Sequence, residues 1–240
     1  MARPRTFAHR FLVTTSGDYL TCADYKSLGG AGSASASQDT TDARASSTRT
    51  GGALLVASGV VFTLLNTVAE SLYPGYSVGK DALSTLGGVG APTMLLWDGQ
   101  LMLSGLMTLL GTYLLFVRGR PAELVKGRLA KAVYFLPPLG TILVSLVPWN
   151  TVIAVHSLGA FVTFVFGGIA AVYSSRFTPR PLSYLSLVLG LTTLLSIPFL
   201  GSGLYLGFGG VERLVVYPYV IWGIAFGAYW AGATAPGLLS

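Results

Sequence analysis

Glu70, Asp98, His156 and Arg213 each stand within, or at the edge of, a long apolar run of this 240-residue chain. An ionisable group at membrane depth is costly, so it marks either a bonded partner or a task. Glu70 or Asp98 suits a general acid or base, His156 its partner, and Arg213 a clamp on an anionic headgroup. These four are the catalytic candidates. Tyr73, Tyr76, Lys80, Asp81 and Glu212 are the candidate substrate contacts beside them. No nucleophile elbow, HExxH pair or other catalytic motif accompanies them. Glu70, Asp81, Asp98 and His156 would make an oxygen-rich metal site with one nitrogen. The missing second histidine argues against a zinc hydrolase. No metal and no cofactor is expected.

Helical spacing says where these groups point. Gly59, Thr63, Asn66 and Glu70 share one helical face. His156, Ala160, Thr163 and Gly167 share another, and Gln100, Ser104, Thr108 and Thr112 form a stripe at steps of four. Small and hydroxyl-bearing residues mark helix contacts in membranes. Glu70 and His156 are therefore expected to face the interior. With Arg213 they would form an ion-pair and hydrogen-bond set tying the first, fourth and sixth spans together. Asp98 lies off the Gln100 stripe and would face headgroups.

The elements that must position these residues follow from composition. Hydrophobic residues make up 52% of the chain and charged ones only 10%, too few to cover a soluble domain. Six apolar runs, at 53–72, 93–117, 129–148, 152–173, 182–202 and 214–233, are each long enough to cross a bilayer as a helix. Strands of about ten alternating residues, which a barrel needs, are absent. The expected fold is all-α, a polytopic membrane bundle of six transmembrane helices. Lys and Arg collect in the N-terminal segment, at 118–131 and at 176–180, leaving Lys80 and Arg213 on the other side. The positive-inside rule then places both termini in the cytoplasm of a cell-membrane protein. Membrane lipids are the expected partners. The basic residues lie between apolar runs rather than in one patch, so no nucleic acid is expected. The oligomeric state is left open. Gly223 and Gly227 offer a small-residue face for packing within the bundle or for a dimer.

Residues 1–51 read as a disordered cytoplasmic tail, because Ser, Ala, Gly and Thr dominate without an apolar period. The single cysteine, Cys22, permits no intrachain disulfide. Residues 52–233 hold the membrane domain, and 234–240 a short C-terminal tail. In the segment 73–92, Tyr73-Pro74-Gly75-Tyr76 fits a type II turn. Ser77 would cap a short helix whose apolar face is Val78, Ala82, Leu86 and Val89, a lid at the outer interface. Tyr73, Tyr76, Trp97 and Trp149 would form an aromatic belt there. Pro137-Pro138, Pro198 and Pro218 would kink the third, fifth and sixth spans.

Several of these landmarks resemble one family. Tyr73-Pro74-Gly75-Tyr76-Ser77 with Leu83-Ser84-Thr85-Leu86-Gly87 is similar to the "PGY…IS-x-LG" signature of the domain-of-unknown-function 998 family. Trp97-Asp98 with Gly105, Pro148 with His156, and Glu212-Arg213 with Tyr217-Pro218 and Trp222 resemble its later motifs. The resemblance covers roughly 52–232. It implies archaeal or bacterial six-span membrane proteins and supplies no activity. Asp98 stands where that family usually has Asn, and Thr85 where it often has an acid.

Three functions fit these residues. A structural or accessory membrane protein, held together by an outer-side polar cluster, ranks narrowly first. An intramembrane enzyme acting on a lipid or isoprenoid at the outer leaflet is the second. A small transporter or proton/cation relay is the third. A lipid-sized cavity would favour the enzyme, a polar path past Thr112 and Thr193 the transporter, and direct ion pairs without a cavity the structural role.

Overall fold

The computed structural model describes residues 22–232. Among them every regular element is helical. Six long helices follow in order: α1 (Cys22–Leu72), α2 (Met94–Tyr113), α3 (Arg128–Leu146), α4 (Ile153–Ser174), α5 (Leu182–Ser196) and α6 (Gly207–Gly232). A π turn, Leu114–Arg118, prolongs α2, and a 3-10 turn, Ile197–Phe199, prolongs α5 around Pro198. The chain divides after Asp42 into two units, and the unit from Ala43 onward holds the membrane bundle.

Among the described residues, six helices are long and apolar enough to cross a membrane. Their outer faces agree with that. Leu64 is 61% exposed, Leu106 50% and Val188 59%, although each sits well inside an apolar span. Such outward apolar side chains suit hydrocarbon as the solvent. This is a multi-pass integral membrane protein.

With lipid outside, contacts between helices depend on close approach rather than on the hydrophobic effect. Glycines provide it at four crossings. A Cβ on Gly51 would lie 2.9 Å from the Gly111 carbonyl of α2, and one on Gly227 would lie 2.7 Å from the Gly52 carbonyl. Gly140 meets Gly159 between α3 and α4, and Gly168 meets Gly190 between α4 and α5. Apolar side chains gather in two cores. Phe62, Leu83, Leu86, Trp97, Leu101, Val144 and Val216 pack near the 73–92 segment, here called the cap. Leu115, Phe116, Tyr134, Trp222, Phe226 and Trp230 pack near the opposite, Arg-rich end.

Three expectations need correction. First, the part of the proposed tail that is described is helix, and residues 1–21 lie outside the described residues, as does the expected C-terminal tail 234–240. From Arg44 on, the segment is part of the bundle. Arg44 pairs with Glu123, and Thr48, fully buried, accepts the Arg120 N–H at 2.9 Å. A Ser/Thr/Gly composition reads as disorder when only apolar burial is counted. Here it supplies helix contacts and hydrogen bonds.

Second, α6 begins at Gly207, not at residue 214, so Glu212 and Arg213 lie more than a turn inside it. Its glycine-rich first turn is needed because a Cβ on Gly209 would sit 2.2 Å from the Asp81 carbonyl. Third, the cap holds a 3-10 helix, Leu83–Gly87, in place of a helix from Ser77. Leu83 and Leu86 point inward, while Val78 and Val89 are exposed. The Tyr73–Tyr76 turn does close, with Tyr76 N–H on the Tyr73 carbonyl at 3.2 Å and Gly75 at φ +77°. Asp81 closes a single turn on Ser77, its N–H meeting the Ser77 carbonyl at 2.8 Å. Its carboxylate accepts the Ser77 N–H at 2.7 Å and folds 77–81 into a turn.

Candidate functional site

Two polar arrangements stand side by side at the cap end. The first centres on Arg213, 8% exposed. Its Nη2 donates to Glu70 Oε1 at 2.6 Å and to the Tyr76 hydroxyl at 2.8 Å. Its Nη1 donates to the carbonyls of Val78 (2.6 Å) and Gly209 (2.9 Å). The guanidinium thus ties α1, the cap and α6 into one unit. Tyr76 passes its proton on to the Ala82 carbonyl at 3.0 Å. Burial pushes the Tyr76 hydroxyl up to about 12, against the opposing pull of Arg213.

Asn66, fully buried, extends the network. Its Nδ2 donates to Glu70 Oε1 at 3.0 Å and to the Tyr217 hydroxyl at 3.3 Å. Its Oδ1 accepts the Trp97 indole N–H at 3.2 Å. The far half of the cap is fixed separately: Thr93 donates to the Leu86 carbonyl at 2.8 Å, and the Asn150 amide pairs with the Val89 backbone at 2.8 and 3.1 Å.

The second arrangement faces space. His156 Nδ1 donates to the Val147 carbonyl at 2.7 Å, because a carbonyl can only accept. In neutral imidazole this leaves Nε2 as an acceptor. Glu212 takes the Leu83 N–H on Oε2, at 2.5 Å. His156, Glu212 and Ser84 line two adjoining cavities. One, of about 490 Å³, lies among the first turns of α4, the end of α5 and the first turns of α6, with Ile153, Phe161 and Phe208 on its wall. The other, of about 130 Å³, is a narrow chamber inside the bundle. Its wall runs from Trp97 to Thr112 on α2 and from Glu212 to Phe226 on α6. At 1.5 Å per residue, that is about 20 Å along the helices.

The chamber is mostly greasy. Several of its hydroxyls are already engaged within the protein, Ser58 with Thr108 at 2.8 Å and Thr163 with the Gly159 carbonyl at 2.9 Å. Its far end is closed by Phe116, Tyr134 and Phe226, all buried, with the Phe116 and Tyr134 rings 4.0 Å apart. Trp222, whose indole N–H is buried without a protein partner, stacks on Phe226 there.

The family model for proteins of unknown function, DUF998, matches residues 40–229, starting earlier than the resemblance in sequence implied. The chain belongs to the DUF998 family. No curated protein and no solved structure matches it. The match spans all six membrane helices and both polar arrangements of this DUF998 chain, and it carries no activity with it.

The candidate residues separate. Glu70, Arg213 and Tyr76 come together, with Asp81 fixing the cap beside them. Tyr73 packs on Tyr76, ring centres 5.8 Å apart. His156 does not join that ion pair, contrary to expectation; it lines the cavities with Glu212. A histidine opening a helix after a Pro-containing loop reaches that loop's own carbonyl first. Asp98 stands apart, against Gly87, where a Cβ would lie 2.5 Å from its Oδ1. That Oδ1 is buried without a hydrogen bond, so the carboxylate does not simply face headgroups. Lys80 is exposed on the cap.

The aromatic belt also needs correction. Trp97 is 4% exposed and serves Asn66, and Tyr76 serves Arg213. Trp149 stays at the surface, 39% exposed. The Asn66–Trp97 link and the cavity role of Ser84 were not singled out in the sequence. Asn66 carried a signal, being an amide one turn before Glu70 on the same face.

Proposed function

We propose that this is a cell-membrane protein that accommodates a single elongated lipid chain within its bundle, with the polar end of that lipid at His156, Glu212 and Ser84. One observation carries the reading: a narrow apolar chamber about 20 Å long by helical rise opens at its polar end into a wider side cavity. A volume of about 130 Å³ spread over that length suits one chain better than the two of a diacyl phospholipid. The side cavity lies between α4 and α6, whose apolar outer faces meet the bilayer, so a lipid enters sideways without crossing water.

The orientation rests on charge. From Ala43 onward, nine of the eleven Lys and Arg fall at one end, which supports cytoplasmic termini and a cap on the outer side. The chamber then opens toward the outer leaflet. Its closed aromatic floor weighs against a relay or channel, since Thr193 does not line it and no polar route continues to the Arg-rich end from the described lining. The Glu70–Arg213 set ties α1, the cap and α6 together, which supports a structural part for it beside the chamber.

Native mass spectrometry of the gently solubilised protein tests this reading. The expected spectrum shows one lipid-sized adduct per chain, and that lipid resists exchange into detergent. A spectrum of bare protein, together with tryptophan fluorescence that brominated chains fail to quench, would overturn it.

A further inference from the structure

We propose that the occupant of the chamber is a single-chain lipid with an uncharged hydroxyl head, which His156 and Glu212 read through two acceptor atoms. The inference rests on the lipid-chamber reading and adds the chemistry of the head.

Neither cavity has Lys or Arg among its lining residues. Arg213 is the adjacent cation, but it lines neither cavity, and its Nη atoms are engaged by Glu70, Tyr76 and backbone carbonyls. The cavity walls therefore offer no cation to neutralise a phosphate at a depth where screening is weak. His156 points the same way. Its Nδ1 proton is held by the Val147 carbonyl, so neutral imidazole presents a lone pair. Glu212 accepts from the backbone of Leu83 and Ser84, and lone pairs remain on its carboxyl oxygens to accept from a ligand. Two acceptors at the mouth of an apolar chamber call for donors in the ligand, and Ser84 can donate in return to a hydroxyl oxygen. A glycerol head offers a hydroxyl to each acceptor. An ammonium would meet Glu212 too, but burying that ion pair costs more than its attraction returns unless every donor is matched.

The test compares three probes with the same oleoyl chain: monooleoylglycerol, oleoyl lysophosphatidylglycerol and oleylamine. Each is added to delipidated full-length protein, and binding is read by native mass spectrometry. Monooleoylglycerol is expected to bind at least about tenfold tighter than the other two, the weight of one good hydrogen bond to a charged group. Glu212→Gln and His156→Phe should each lower its affinity about tenfold and leave lysophosphatidylglycerol no weaker. Where a variant does not fold, the wild-type ranking alone decides. Lysophosphatidylglycerol or oleylamine binding as tightly as monooleoylglycerol overturns the head assignment and leaves the chamber standing. Failure of all three probes overturns the chamber reading along with it.

Discussion

Arg213 on α6 and Glu70 on α1 are 143 positions apart in sequence, yet Nη2 and Oε1 meet at 2.6 Å with side chains only 9% and 15% exposed. Removing either partner strands the other in a low-dielectric site. Glu70→Ala and Arg213→Ala should each destabilise by about 3–5 kcal/mol, seen as a lower melting temperature in detergent. The double variant should cost less than the sum. Exchanging the two residues should not rescue stability, because a carboxylate at 213 would face the carbonyls of Val78 and Gly209. A swap that restores the wild-type melting temperature would show that charge attraction alone, not this donor fan, holds the cap.

Tyr76 makes a pH prediction. Its hydroxyl is pushed from 10.0 to about 12, so the folded protein holds the proton more tightly than the unfolded chain does. Above pH 10 the unfolded state loses that proton first, and stability falls until the folded group also titrates near 12. Below 10 there is no effect. Tyr76→Phe should cost about 1–2 kcal/mol at neutral pH through the lost hydrogen bonds, and should flatten the alkaline fall relative to wild type. Alkaline melting curves of the two proteins decide it; equal slopes count against the assignment.

How much was legible in the sequence depends on what kind of signal each residue carried. The six helices were readable because run length in lipid leaves few alternatives. Glu70, Arg213, Tyr76 and Asp81 were readable as a group because charges and a Pro-Gly turn stand out against apolar neighbours. His156 was given the wrong partner. Helical phase fixed its face, not which of several interior groups lay opposite. The start of α6 was hidden because glycines at 207, 209 and 210 lower helix propensity. They are there for contact with the cap backbone, which no local rule foresees. The cavity was illegible for the same reason. It is a gap between helices, defined by packing of residues far apart in the chain.

Glycine substitutions should therefore divide by contact. A Cβ on Gly140 would lie 2.5 Å from both the Gly159 carbonyl and Thr163 Oγ1, so Gly140→Ala must push α3 from α4. A loss of about 1–3 kcal/mol is expected. Gly223 lies in α6 with no atom within 4 Å of its added Cβ. Gly223→Ala should leave stability unchanged or raise it slightly, since alanine favours the helix. Thermal melts of both proteins in one detergent measure the contrast.

The chamber should behave as a ruler. Ala160 lines both cavities, at the mouth, whereas Gly223 lines only the narrow chamber, eleven residues beyond Glu212. By helical rise, position 223 lies about 16 Å below the polar end. Ala160→Trp should therefore block every chain length, because nothing can pass the junction. Gly223→Phe should leave short chains bound and exclude long ones, since its ring fills the open space below the mouth. Monoacylglycerols of graded length, competed against one another on each variant by native mass spectrometry, give the readout. Wild type should prefer long chains and Gly223→Phe shorter ones, while both variants keep the Glu70–Arg213 pair and melt near wild type. If Gly223→Phe bound all lengths with wild-type preference, the acyl chain would not run down α6 as its wall implies.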